Sequence, residues 1–132
     1  MQSRASYAMI VGMGMDMCDL GKAKRTVEKG TYLSTYYSKE EQDYFEVCGK
    51  TKFFVMAEHY AAKGAFLKLV GTGIVNANMS QIEILHDKYG QPYYNIKGWA
   101  LDEMRNKNID RMILASSHSD ELAVAVAIAE RD

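Results

Sequence analysis

The chain of 132 residues carries 16 Lys+Arg against 17 Asp+Glu, with 48% hydrophobic residues and a single proline. That is one domain's length on the usual scale of roughly 100–200 residues, enough to bury about two thirds of the unfolded surface without disulfide staples. A formal net charge of −1 excludes a general nucleic-acid binder, which needs a cationic excess to neutralise phosphates, and the apolar content excludes disorder.

Two cysteines, Cys18 and Cys48, are too few for a disulfide framework or a Cys-rich zinc site and suit a reducing compartment. The apolar stretch near the start is short and broken by glycines, and no run approaches the ~18 residues of a membrane span. The expectation is a soluble, cytoplasmic protein with no membrane partner.

Residues 7–16 are apolar, include Ile10 and Val11, and predict a buried strand. Asp19 can cap a helix running to about Gly30. Ser38, with Glu41 three positions later, is a capping box that opens a helix over 39–47. Residues 52–70 repeat apolar side chains at helical spacing and end at Gly71, which predicts the longest helix and a left-handed glycine cap. Residues 81–85 alternate apolar and polar, 87–91 read as a turn, and 92–96 return as the second strand of a hairpin.

Residues 99–107 predict a short helix, and 109–117 and 122–130 the last two strands. In the final strand Leu122, Val124, Val126 and Ile128 alternate with Ala123, Ala125, Ala127 and Ala129. Branched residues at period two favour a strand over a helix. With both faces apolar, this strand is expected to be buried on both sides, under a helix and at a subunit interface. The sum is a compact α+β domain.

Three clusters invite chemistry. Gly12-Met13-Gly14-Met15-Asp16 is not a dinucleotide fingerprint, because Met17 stands where the third glycine belongs and an acid occupies the turn. A strand end that presents a carboxylate suits Mg²⁺, while a helix N-cap is the other reading of Asp16. Ser117 and His118 are neighbours on a strand, so they point to opposite faces and cannot pair as nucleophile and base; a His contacting a ligand remains open. Lys22, Arg25 and Lys29 share one helix face, either solvated or a docking surface for an acidic partner.

Three segments taken together resemble the small 4′-phosphopantetheinyl transferases of the holo-acyl-carrier-protein synthase type. They are residues 10–20 around Gly-Met-Gly-Met-Asp, residues 61–68 (Ala-Ala-Lys-Gly-Ala-Phe-Leu-Lys) leading into Gly71-Thr72-Gly73, and Ala115-Ser116-Ser117-His118-Ser119 followed by Ala123-Val124-Ala125. The resemblance spans about residues 9–130. It implies one transferase domain over 9–132 behind an extension at 1–8, with a small antiparallel sheet packed against a long helix. It further implies transfer of the phosphopantetheine arm of coenzyme A to a serine of an acyl or peptidyl carrier protein, with release of 3′,5′-ADP.

By the same resemblance, Asp16 binds Mg²⁺, Lys63 and Lys68 supply positive charge near the phosphates (Lys63 catalytically), and Gly71, Thr72 and Gly73 let the backbone approach the coenzyme. Ser117 and His118 line the coenzyme cleft, Lys22 and Arg25 meet the acidic carrier, and the assembly is a homotrimer. Two positions depart from the family: Gly64 stands where the second metal-binding glutamate belongs, and His59 where an arginine does. The helical neighbours of residue 64 include no acid, which leaves Asp19 as the best local substitute if the first helix starts near Asp16. The alternative is an impaired relative that binds coenzyme A or a carrier protein without transfer.

Overall fold

The computed structural model describes residues 8–29, 33–71 and 78–132. In chain order the elements are β1 (Met9–Asp19), α1 (Leu20–Lys29), the four-residue α2 (Leu33–Tyr36), α3 (Lys39–Cys48), α4 (Lys52–Val70), β2 (Ile82–His86), β3 (Pro92–Ile96), α5 (Gly98–Asn106), β4 (Arg111–His118) and β5 (Leu122–Arg131). Strands β1, β5 and β4 form one antiparallel sheet with β5 in the centre, and β2 and β3 form a separate hairpin. The α+β architecture with a long helix on a small antiparallel sheet is as expected.

Local signals explain most boundaries. The Ser38 hydroxyl accepts from the Glu41 N–H and the Glu41 carboxylate accepts from the Ser38 N–H, closing the capping box of α3. Helix α4 ends at Gly71 in the left-handed conformation, whose N–H donates to the Leu67 carbonyl. Strand β1 runs three residues past the expected end at Asp16, because its pairing with β5 continues to Asp19 opposite Leu122. Asp19 then caps α1 by accepting from the Lys22 N–H at 2.7 Å.

The sheet's two faces differ. Toward α4 it shows Gly12, Gly14, Ala123, Ala125, Ala127 and Ala129, and the four alanines are buried. These small residues let the helix lie close. A Cβ on Gly14 would collide with the carbonyl oxygen of Ala65. Phe45, Met56, Phe66, Leu67, Ile82 and Ile84 complete the core around α4, each contributing about 1.5–3 kcal/mol by burial.

The opposite face is not covered within one chain. Leu122 is exposed and Val124, Val126 and Ile128 only half-buried, so a single chain covers only the alanine side of β5. Around them Met13, Met15 and Met17 are 57–64% exposed and Ile113 48%. Among the described residues, no helix is long and apolar enough to cross a membrane.

Candidate active site

Asp16 lies within β1 and faces α4 at the level of Gly64. Its Oδ2 occupies the place where a Cβ on residue 64 would stand, and its Oδ1 accepts from Lys68 Nζ at 3.1 Å. The structure therefore brings Asp16, Gly64 and Lys68 together, on positions 64 and 68 of one helix face. It also removes the capping reading of Asp16, because the residue that caps α1 is Asp19.

Asp19 does not serve as a second ligand beside Asp16. The two stand on a strand, three residues apart, so their side chains leave opposite faces. Among the described residues, no group of three or more His, Cys, Asp or Glu side chains could hold a metal ion. What the chain offers is one carboxylate, that of Asp16, seated against a helix position that has no side chain. That donor set fits Mg²⁺ in its common mode, with one protein carboxylate and the remaining positions filled by substrate phosphates and water.

Lys63 corrects the expectation of a phosphate-binding or catalytic lysine. Its ammonium is fully buried and spends its three donors on Glu41 Oε1 at 2.7 Å and on the carbonyls of Ile82 at 2.7 Å and Met79 at 2.9 Å. A lysine with all donors satisfied inside the protein has none left for a ligand. Burial lowers its pKa, and the Glu41 carboxylate works against that. Glu41 also accepts from His59 Nδ1 at 2.8 Å, and His59 Nε2 meets His86 Nε2 at 2.8 Å. Burial lowers the pKa of His59 as well.

At the other edge of the sheet, His118 shares the α4 face with Asp16, whereas Ser117 points to the open face. The register shows it: Asp16 and Ser116 both pair with Ala125, and His118 pairs with the next inward alanine, Ala123. Met17, Ser117, His118, Ser119, Leu122 and Val124 line a shallow cleft where these strands end. Glu58 on α4 accepts from Ser116 Oγ at 2.6 Å and from His118 Nδ1 at 2.8 Å, and the Phe54 ring stacks on the imidazole at 4.7 Å. Sequence reasoning missed Glu58. The i, i+4 spacing of Phe54 and Glu58 marked a shared helix face, but nothing local pointed to β4.

Gly71 is the exposed C-cap of α4; Thr72 and Gly73 lie outside the described residues. Arg25 is exposed, and the Lys22 ammonium sits 4.4 Å over the Tyr60 ring, whose hydroxyl raises the lysine's pKa by hydrogen bonding. Cys18 is buried, and loss of hydration pushes its thiol up to about 11, so it stays protonated and inert.

No protein-family model matches the chain. A holo-acyl-carrier-protein synthase from Alkaliphilus metalliredigens is 36% identical over 123 residues, which cover 92% of this chain and 99% of the relative. The solved holo-acyl-carrier-protein synthase of Neisseria meningitidis superposes with a TM-score of 0.79 at 33% identity, over 93% of this chain and 100% of that one. The enzyme of Bacillus anthracis, solved in complex with coenzyme A (3′,5′-ADP), gives 0.76 at 28% identity over 94% and 99%. Agreement of sequence and fold along nearly the whole length means that this chain belongs to the holo-acyl-carrier-protein synthase family.

Proposed function

We propose that this protein transfers the 4′-phosphopantetheine arm of coenzyme A to a serine of an acyl carrier protein in a Mg²⁺-dependent reaction that leaves 3′,5′-ADP. The serine oxygen forms a bond to phosphorus, the bond to the bridging pyrophosphate oxygen breaks, and the hydroxyl proton is released. The observation that carries this reading is the Asp16–Lys68 pair against the bare helix at Gly64, in a chain of this family. Magnesium, when bound by Asp16 together with the coenzyme's phosphates, would neutralise the charge that develops on the leaving oxygens. Lys68 supplies a second positive charge beside that carboxylate. Its exposed ammonium is free to turn toward an anion, since a surface ion pair holds it by only about 0–1 kcal/mol.

The domain is residues 9–132, and Lys22 and Arg25 on α1 form the surface for an acidic carrier. The working form is a homotrimer in the cytoplasm. Support for assembly comes from the open sheet face, where exposed Met13, Met15, Met17, Ile113 and Leu122 surround half-buried Val124 and Val126. Support for the compartment comes from two unpaired cysteines.

Mass spectrometry of an apo carrier protein after incubation with this protein, coenzyme A and Mg²⁺ tests the reading. A gain of one phosphopantetheine on the carrier serine is expected. Coenzyme binding with an unmodified carrier would overturn it.

A further inference from the structure

We propose that Glu58 is a positioning residue for His118, fixing which of its ring nitrogens carries the proton. The proposal rests on the transfer reading above and adds a residue to it. A carboxylate only accepts, so the 2.8 Å contact between Glu58 Oε2 and His118 Nδ1 requires the proton on Nδ1. In the neutral ring the lone pair is then on Nε2, the nitrogen that Glu58 does not engage, on a residue that lines the cleft between the ends of β1, β4 and β5.

The carboxylate is itself held. Ser116 Oγ donates to its other oxygen at 2.6 Å, and Phe54, one helical turn earlier, covers one face of the imidazole with planes 23° apart. Three side chains from two elements thus restrain a ring whose side chain remains 41% exposed. A pair at that exposure is worth only about 0–1 kcal/mol of stability, so gluing α4 to β4 is a small part of what the arrangement does. What it does define is a hydrogen-bond acceptor of fixed direction, His118 Nε2, on a residue that lines the cleft and could meet a donor group of a substrate. An amide in place of the carboxylate can donate to Nδ1 and stabilise the opposite tautomer while keeping the shape, the logic of oriented histidines in hydrolases.

The test uses Glu58→Gln in the full chain. Long-range nitrogen–proton NMR correlations of the ligand-free protein should show neutral His118 protonated at Nδ1, and at Nε2 in Glu58→Gln. Transfer by Glu58→Gln should show a kcat/KM at least tenfold lower, with a melting temperature within a few degrees of the parent. Glu58→Ala, which removes the acceptor at Nδ1, should lose the preference for the Nδ1 proton and serves if Glu58→Gln folds poorly. Parent His118 protonated at Nε2 overturns the proposal, and so does a switched tautomer with unchanged kcat/KM. A parent protein that transfers nothing counts against the transfer reading instead, and the tautomer is still read directly.

Discussion

Asp16 and Gly64 share one volume: the aspartate carboxylate fills the space that a side chain at position 64 would need. A glycine in mid-helix costs about 1 kcal/mol relative to alanine, and here that cost leaves room for the carboxylate to approach the helix. The relationship makes residue 64 a control on where Asp16 points.

Asp16→Asn keeps the shape and removes the charge. Coenzyme A binding followed by calorimetry should lose its dependence on Mg²⁺, with a stability change of no more than about 1 kcal/mol, since only the exposed pair with Lys68 is lost. Retained Mg²⁺ dependence would remove Asp16 from the metal site.

Gly64→Glu introduces a Cβ only 2.7 Å from the present position of Asp16 Cγ and 3.1 Å from its Cβ, so the aspartate must rotate. Crowding of this kind costs about 1–3 kcal/mol, partly offset by the better helix former. The expected result is a melting temperature lowered by a few degrees together with tighter coenzyme binding at limiting Mg²⁺. The difference in binding should shrink as Mg²⁺ saturates.

Val126→Glu probes the open face. Val126 is half-buried in one chain, so a glutamate there tolerates water, but at an interface between copies it would be a buried unpaired charge. Light scattering should show a trimer for the parent and a smaller species for the variant, with the circular dichroism spectrum kept. A monomeric parent at micromolar concentration would sink the assembly.

His59 sets a pH response. Burial holds its folded pKa below the ordinary value of about 6.5, and Lys63 already provides the positive charge that Glu41 needs. The unfolded chain therefore takes up a proton first as pH falls. The contribution of His59 is fully present above about pH 6.5 and declines below it, toward the lower folded pKa. Urea unfolding from pH 7.5 to 5 should show stability falling across this window, and His59→Gln should flatten the slope.

Much of the fold was legible because its signals are local. A capping box spans three residues, the α4 pattern repeats every turn, and the alternation in 122–130 has period two, so each is read without knowing what packs against it. The family signature also placed Asp16 and Gly64 on facing elements. Tertiary structure alone decided the fate of the charges. Lys63 sits one position from Gly64 on α4, yet the 100° turn between them sends one side chain into the core against Glu41 and leaves the other position open to Asp16. Glu58 and His118 are 60 residues apart, and only the docking of α4 on the sheet makes them a pair. The last strand shows the same division: its sequence is apolar on both faces, but the alanines meet the helix because only small side chains fit under it, and the valines are left for another surface.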